Sequence, residues 1–401
     1  MKSSLTRGKC RDLILAWLNS TTMRHTHRSF KSFASLLSLW VCISGLMGVA
    51  TQAKAVDPQA PTKTLQKATA KKPKKHKRAQ AFVGKPFGNT ASVKRLAAEL
   101  AQQRGIPKRW VQQQIASARL LPQVQKMIMP AALPSAKNWG AYRARFLDPQ
   151  RTQAGLEFWR SHAETLARAE RTYGVPAQYI VGILGVETYF GRHQGQFKVL
   201  DVLATLSLSF PSEHRQAEER QAFFKNELGY FLQQRLKNPS LKNQLGSYAG
   251  ASGWPQFMPS SIDKFAVDFD QDGQINLTHS PADAIGSIAH YFQAYGWQAG
   301  MPTHFEVDVQ ADGGELNALL APDIVPSWSA DHLLEKRVGL SQAGRQFGGA
   351  LALVELNNGG DRPSYVAGTD NFFVVTRYNR SSYYAMAVIE LGQAIERALH
   401  H

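Results

Sequence analysis

A chain of 401 residues in which 43% are hydrophobic can bury a sizeable core, which excludes a wholly disordered protein. The formal charge of +17 would suit a nucleic-acid-binding protein, but residues 1–80 hold 16 Lys and Arg against 2 acids, which leaves 31 basic and 28 acidic residues elsewhere. Because the rest of the chain is nearly balanced, we predict no nucleic-acid partner.

The N-terminal pattern predicts a secretory signal peptide within residues 1–55. Basic residues at 24–31 precede an apolar run over residues 33–49, and an A-x-A cleavage site follows at 53–55. We therefore expect cleavage and a periplasmic protein, with association with the outer membrane left open.

Two alternatives concern this same region. An uncleaved membrane anchor is disfavoured because the apolar run contains serines and is short for a span. Lipidation at Cys42 is disfavoured because Val41 is larger than the small residue that normally precedes an acylated cysteine. The start is either Met1 or Met23. Both cysteines, Cys10 and Cys42, lie here, so the mature protein is expected to contain no disulfide.

A basic linker follows at residues 56–84. It is rich in Pro and Lys and includes the run KKPKKHKR at 71–78, a composition that cannot bury apolar surface. We predict a solvated linker. A weak attraction to anionic lipid or wall polymer, which salt would screen, is compatible with that prediction.

Helical periodicity begins near residue 85, with apolar residues recurring at three- and four-residue spacing. The predicted helices cover residues 92–104, 107–117, 155–173, 176–188, 219–235 and 281–296. A final helix is predicted over residues 383–399.

The composition changes after Trp297, where Val, Phe and Thr predominate and Gly-rich turns occur at 312–314 and 358–360. The predicted strands are 303–309, 350–356 and 371–378. They form a small antiparallel β subdomain, inserted at about 302–377 of a domain that covers 85–401. The fold class is therefore α+β and mostly helical.

An unusual carboxylate stands near the end of the predicted helix 176–188. This helix is apolar on nearly all sides, so we expect it to be buried, and Glu187 lies at its C-terminal end. Desolvation and the negative end of the helix dipole both favour a protonated carboxyl group, as a general acid for glycosidic cleavage requires. The alternative is a structural glutamate paired with Arg192 or a backbone amide.

A Gly-rich loop occupies residues 248–261, with the sequence YAGASGWPQFMPSS. Aromatic rings stack on sugar faces, and the Gln256 amide is suited to hydroxyl or acetamido groups, so the loop suits a sugar-binding cleft. The alternative is a tight turn that needs glycine for backbone reasons alone.

Residues 268–276, DFDQDGQIN, match the start of an EF-hand calcium loop. Three carboxylates at alternate positions repel one another unless a hard cation neutralises them, and Gly273 permits the sharp turn. Position twelve is His279 rather than Glu, and Asp283 is placed to close a longer loop. The pattern favours a structural calcium site over a solvated acidic turn.

With these segments, the chain closely resembles the membrane-bound lytic murein transglycosylase B family, glycoside hydrolase family 103. The resemblance extends over roughly residues 85–400. Its motifs are YRARF (142–146), GVETYFGR (185–192), YAGASGWPQFMPSS (248–261), DAIGSIAHYFQAYGW (283–297) and RYNRSSYYAMAV (377–388).

The resemblance implies a lysozyme-like core with an α and a β subdomain, and one glutamate, Glu187, that acts as acid and then as base. It implies a cleft lined by the substrate-binding residues Tyr142, Ser247, Gln256, Tyr291, Tyr378 and Asn379. It implies calcium ligands at Asp268, Asp270, Asp272, the Gln274 carbonyl and Asp283. This sequence departs from the family pattern by one extra residue before Asp283 and by an acid at position 270.

The resemblance also implies the reaction: cleavage of the MurNAc–GlcNAc β-1,4 bond in peptidoglycan strands with formation of 1,6-anhydromuramoyl ends. The N-acetyl carbonyl of the substrate would supply the nucleophile, in place of the second carboxylate of ordinary glycosidases. The alternatives are a hydrolytic muramidase and a non-catalytic, calcium-dependent wall-binding protein. We expect a monomer without an organic cofactor.

Overall fold

The computed structural model describes residues 84–130 and 137–401. The predicted signal peptide with Cys42, and all but the last residue of the predicted linker, lie outside the described residues. Within these two stretches, no helix combines the length and the apolar character that a membrane span requires.

Three helices at the start of the described chain and two later ones form an α subdomain. Its elements are α1 (Ala91–Arg104), α2 (Lys108–Ser117), α3 (Pro122–Met127), α8 (Val199–Leu208) and α9 (Ala217–Lys237). Their apolar faces meet in one buried cluster, as amphipathic helices require. The predicted helices 92–104, 107–117 and 219–235 are confirmed as α1, α2 and α9, with ends displaced by at most two residues.

A second, larger cluster forms the central core. Its helices are α4 (Trp139–Arg143), α5 (Pro149–Ser161), α6 (Ala163–Tyr173), α7 (Ala177–Thr188), α10 (Pro259–Phe265), α11 (Pro281–Ala294), α15 (Asp370–Tyr378) and α16 (Ser382–Leu399). The single helix predicted over 155–173 is wrong, because His162 leaves the helical region (φ −124°, ψ 22°) and divides it into α5 and α6.

Helices α7 and α16 pack backbone to backbone at the centre of this core. A side chain at Gly182 would place its Cβ 2.3 Å from the Val388 carbonyl oxygen, and one at Gly392 would lie 2.2 Å from the Gln178 carbonyl oxygen. Only glycine permits such a close approach at either position. The two helices are thereby held together where they carry Glu187 and Tyr384.

A four-stranded antiparallel sheet forms the β subdomain. Its strands are β3 (His304–Val309), β4 (Val338–Leu340), β5 (Ala352–Asn358) and β6 (Asp361–Gly368), in the order β4-β3-β6-β5. Short helices α12 (Gly313–Leu320), α13 (Ala330–Glu335) and α14 (Gln342–Arg345) connect them. Across β5 and β6, the pair Val354 and Val366 faces the central core, whereas the adjacent pair Leu353 and Ala367 lies in the subdomain's own buried cluster.

The third predicted strand, 371–378, is wrong: these residues belong to α15. The Thr369 hydroxyl oxygen accepts the Asn371 amide at 3.1 Å and caps the helix, and buried residues recur at helical spacing. Val, Phe and Thr favour strands only weakly, so packing against the core decides this segment. The strand that completes the sheet is β6, which follows the Gly-rich turn directly.

A two-stranded ribbon leads from the central core towards the Gly-rich loop. Strand β1 (Phe197–Lys198) pairs with β2 (Leu245–Gly246) in antiparallel register, Phe197 opposite Gly246. The ribbon places Ser247, the next residue, at the start of the loop over residues 248–261.

Candidate active site and acidic loop

Glu187 is the penultimate residue of α7 and is half-buried. Ten of the twelve residues of this helix are buried, as its apolar sequence predicts. The hydroxyl of Tyr384 donates a hydrogen bond of 2.6 Å to Glu187 Oε1. Tyr384 is 2% exposed and lies in the first turn of α16, where the Ser381 hydroxyl oxygen accepts its amide. A buried donor thus fixes one carboxyl oxygen.

Sequence reasoning did not single out Tyr384, although it lies inside the motif at 377–388. The signal available was local: a serine N-cap followed by an aromatic pair, Tyr383 and Tyr384, opening an apolar helix. Nothing local indicated which tyrosine points towards Glu187, which is 197 positions away along the chain.

The chain turns sharply after Glu187. Tyr189, Phe190 and Gly191 all have positive φ (51°, 55° and 80°), and two of them are not glycine. α7 ends at Thr188, as the predicted helix 176–188 does. The buried Thr188 hydroxyl holds this turn, donating to the Trp254 carbonyl and accepting the Gly191 amide, both at 3.0 Å. Such backbone conformations cluster at functional sites.

The Gly-rich loop is a compact turn held by its own polar groups. The side-chain amide nitrogen of Gln256 donates to the backbone carbonyls of Gly253 (2.9 Å) and Gln194 (3.2 Å). The backbone of Gln256 has a positive φ of 50°. The Ser247 hydroxyl oxygen accepts the amides of Ala249 and Ala251 at 3.4 and 3.2 Å. Both predicted cleft residues therefore also shape the loop.

Two of the predicted cleft tyrosines form a neutral wall beside Glu187. The Tyr378 hydroxyl donates to the Pro255 carbonyl at 2.7 Å, and the Tyr291 hydroxyl donates to the Arg377 carbonyl at 2.8 Å. Their ring centroids lie 4.9 Å apart. Burial raises the pKa of Tyr378 well above its usual value, and the charge of Glu187 raises it further.

Burial likewise raises the pKa of Tyr291 well above its usual value, with smaller contributions that include the charge of Glu187. The charge of Glu187 thus contributes to the raised pKa of both tyrosines. Tyr378 also stacks on Tyr384, with centroids 6.2 Å apart. The structure therefore brings Tyr291 and Tyr378 together with Glu187, as fixed hydroxyl donors bonded to backbone carbonyls.

Tyr142 and Asn379 lie at the margins of this wall. Tyr142, on α4, is half-buried, and its ring centroid is 5.8 Å from that of Tyr383, the neighbour of Tyr384. Asn379 is half-buried and follows Tyr378 at the C-terminal end of α15. Asn379 thus directly follows a tyrosine of the wall, whereas Tyr142 contacts the residue that precedes Tyr384.

The acidic loop joins α10 to α11. Asp268, Asp270 and Asp283 each offer a carboxylate oxygen, and these three oxygens lie within 4.8 Å of one another. Gly273 has φ 90°, the turn that the sequence required. The predicted ligand Asp283 therefore does meet the two aspartates despite the extra residue before it.

Asp283 organises the loop from a fully buried position. Its two carboxylate oxygens accept the amides of Phe269 (2.8 Å) and Asn276 (2.7 Å), one at each end of the loop. Burial raises the pKa of Asp283, and the charge of Asp270 adds to this. A buried carboxylate beside another carboxylate is the environment that a bound hard cation would relieve.

The other two predicted ligands lie on the exposed side of the loop. The Asp272 carboxylate accepts the Gln274 amide at 2.8 Å, and its own amide donates to Asp268 at 3.1 Å. Asp272 is not part of the three-carboxylate group. The described residues thus offer three converging carboxylates, with Asp272 and Gln274 next to them in the turn.

Fold and site together define a class of protein. A largely helical core carries one carboxyl group at the end of an apolar helix, between a wall of neutral tyrosines and a Gly-rich amide loop. Solved structures of lytic transglycosylases have a similar fold. The class is that of the lysozyme-like lytic transglycosylases.

Comparisons with known proteins name the family. The sequence model of the transglycosylase SLT domain family matches residues 88–393, most of the chain. The membrane-bound lytic murein transglycosylase B of Escherichia coli (strain K12) is 37% identical over 326 residues, which covers 79% of this chain and 86% of that protein. The chain belongs to the transglycosylase SLT family and is a lytic transglycosylase.

Two solved structures illustrate the likeness. The Escherichia coli lytic transglycosylase SLT35 in complex with calcium is 35% identical with a TM-score of 0.69, covering 79% of this chain and 96% of that one. SltB3 from Pseudomonas aeruginosa in complex with NAG-anhNAM-pentapeptide is 28% identical with a TM-score of 0.62, covering 77% of this chain and 80% of that one.

Proposed function

We propose that this chain cleaves the MurNAc–GlcNAc β-1,4 bond of peptidoglycan strands and leaves 1,6-anhydromuramoyl ends, with Glu187 as its only acid–base group. The observation that carries the proposal is the Glu187 carboxyl group, fixed by Tyr384 at the end of a buried helix in a lytic transglycosylase fold. The murein transglycosylase of Escherichia coli and the muropeptide complex of SltB3 support the substrate class.

The proposed first step is proton donation. Because Tyr384 donates to Oε1, the acidic proton of Glu187 belongs on Oε2, which delivers it to the glycosidic oxygen as the C1–O4 bond breaks. The carbonyl oxygen of the substrate's N-acetyl group attacks C1 and forms an oxazolinium ion. Tyr384 then stabilises the carboxylate that remains.

The second step returns the proton. The C6 hydroxyl of the same muramoyl residue attacks C1, the bond to the acetamido oxygen breaks, and Glu187 takes the hydroxyl proton. The enzyme is restored and no water is consumed. In this scheme Ser247 and Asn379 position the acetamido group, Tyr142 and Gln256 contact the sugar, and Tyr291 and Tyr378 shape the cleft.

For the acidic loop we propose a structural calcium ion. Asp268, Asp270, Asp272, the Gln274 carbonyl and Asp283 would hold it, and the convergence of three carboxylates on one point supports this assignment. The calcium complex of SLT35 supports the choice of metal. The ion would neutralise the carboxylates and fix the loop, and it takes no part in the bond cleavage.

We propose export to the periplasm, where peptidoglycan lies, by means of the predicted signal peptide. The curated relative is described as membrane-bound, which supports a location at the wall. The basic linker would add a weak, salt-sensitive attraction to anionic surfaces. The protein is proposed to act as a monomer on glycan strands.

Glu187→Gln tests the assignment of the acid. This substitution keeps the size and the hydrogen-bonding capacity of the side chain but removes the transferable proton, so turnover of purified sacculi should fall by about 10²–10⁴-fold or more. The melting temperature should stay near that of the wild type. Full turnover in this variant would overturn the assignment of Glu187 as the acid, whereas a wild-type protein without turnover would favour a wall-binding role without catalysis.

A further inference from the structure

Trp254 joins the catalytic helix to the segment that leaves the acidic loop. Its backbone amide donates to the Leu277 carbonyl at 2.8 Å, and its indole Nε1 donates to the Thr278 carbonyl at 3.1 Å. Its carbonyl oxygen accepts the Thr188 hydroxyl at 3.0 Å, one residue after Glu187. One residue thus connects two segments through its amide, its side chain and its carbonyl.

A second connection runs in parallel through Gln194. Its side-chain nitrogen donates to the same Thr278 carbonyl at 3.1 Å and to the Gly191 carbonyl at 3.2 Å. The Trp254 ring packs directly on this turn, since a Cβ at Gly191 would lie 2.5 Å from ring atoms. The turn that follows Glu187 is therefore fixed from two sides by Trp254 and Gln194.

The accepting segment is itself set by the acidic loop. Asn276, directly before Leu277, donates its amide to Asp283, which is also one of the three clustered carboxylates. On the other side, a Cβ at Gly253 would lie 2.6 Å from the Leu277 carbonyl oxygen, so the two backbones are in close contact. A displacement of Leu277 must therefore move Trp254.

We propose that Trp254 is a positioning residue through which cation binding at the acidic loop sets the position of the Glu187 carboxyl group. The inference rests on the proposed function and on the proposed calcium site. In this proposal, cation binding fixes Asp283 and, with it, Leu277 and Thr278. The hydrogen bonds of these two carbonyls then fix Trp254, whose own carbonyl oxygen accepts the Thr188 hydroxyl. Displacement of a catalytic group by about 1 Å costs about 10²-fold in rate, so this connection affects turnover as well as stability.

The test compares Trp254→Phe with Trp328→Phe in the full-length protein. Trp328 is an apt control because it is also half-buried and its Nε1 also donates to a backbone carbonyl, that of Leu319 at 2.9 Å, in the β subdomain. For Trp254→Phe we expect kcat to fall about tenfold with little change in KM, whereas Trp328→Phe keeps the wild-type kcat.

Calcium provides the decisive comparison. In wild type and in Trp328→Phe, replacing chelator with calcium should raise both kcat and the melting temperature. In Trp254→Phe, which removes only the indole hydrogen bond to Thr278, the gain in melting temperature should persist while the gain in kcat becomes clearly smaller than in Trp328→Phe. The proposal is overturned if calcium leaves wild-type kcat unchanged, or if it raises kcat equally in both tryptophan variants.

Two further measurements cover the case in which Trp254→Phe does not fold. Thr188→Val should lose turnover, and Thr188→Ser, which keeps the hydroxyl, should regain most of it; equal loss in both would contradict the proposal.

In Glu187→Gln, calcium should change the tryptophan fluorescence as it does in wild type, and a spectrum that calcium leaves unchanged would also contradict the proposal. Because the fluorescence needs no turnover, it separates failure of this inference from failure of the proposed function.

Discussion

The Tyr384 hydroxyl donates to Glu187 Oε1 at 2.6 Å, across the contact between α16 and α7. A hydrogen bond to a charged carboxylate contributes about 1.5–3 kcal/mol, so Tyr384→Phe should lower kcat by about 10–100-fold. The lost donor stabilised the anionic form, so the alkaline limb of the pH–rate profile should move to higher pH. Turnover of soluble glycan fragments measured across pH checks both effects.

The control for this prediction is Tyr365→Phe. Tyr365 also donates its hydroxyl to a glutamate, Glu355, at 3.1 Å, but within the β subdomain. This variant should keep the wild-type pH–rate profile. If Tyr384→Phe also keeps the wild-type kcat and profile, the assigned role of Tyr384 is wrong.

Gly182→Ala should destabilise the protein. The added Cβ would lie 2.3 Å from the Val388 carbonyl oxygen, which belongs to the rigid backbone of α16, so the two helices must separate. Overpacking of this kind costs about 1–3 kcal/mol, measurable by urea unfolding. Gly314→Ala, where the added Cβ meets nothing within 4 Å, should leave the free energy of unfolding unchanged or slightly higher. Equal stability of both variants would contradict the close packing.

We predict that Glu227 makes the stability of the protein depend on pH. It is 1% exposed on α9 and accepts the Ser260 amide at 2.8 Å, yet burial raises its pKa above the usual 4.5. A group whose pKa is raised by folding contributes its full stabilisation when the pH is below the pKa of the unfolded state. That contribution is lost as the pH rises through the pKa of the folded state. Glu227→Gln should therefore melt above wild type at pH 8, by a margin that shrinks towards pH 4.

Glu335→Gln is the control, since Glu335 is exposed. Its melting temperature should stay near that of the wild type. A Glu227→Gln variant that melts below wild type at pH 8 would show that the ionised carboxylate stabilises the fold.

Calcium should raise the melting temperature of the wild type by mass action. An ion that binds only the folded protein adds about 2.7 kcal/mol to the free energy of unfolding when its free concentration is 100 times Kd. Asp283→Asn should lose most of this gain, because it removes one of three converging charges. Asp308→Asn, at an exposed position on β3, should keep it. Identical wild-type melting curves in chelator and in millimolar calcium would refute the site.

The sequence predicted what depends on local pattern. Hydrophobic periodicity located eight of the sixteen α-helices in the described part of the chain, with α5 and α6 predicted as one, and the D-x-D-x-D-G spacing located a loop in which Asp268 and Asp270 meet Asp283. It failed where packing against distant residues decides: 371–378 is helical, although its Val, Phe and Thr residues favour a strand. Tyr384 was missed for the same reason, since its partner Glu187 becomes a neighbour only when α7 and α16 meet.

The central claim is that Glu187 directs an intramolecular transfer without water, and the chemical identity of the product ends tests it most directly. Purified sacculi should be digested with the wild-type protein, with Glu187→Gln as the blank, and the released fragments analysed by mass spectrometry. We predict 1,6-anhydromuramoyl ends, which are lighter by one water than reducing MurNAc ends. Hydrated reducing MurNAc ends alone would contradict the claim and identify a hydrolytic muramidase.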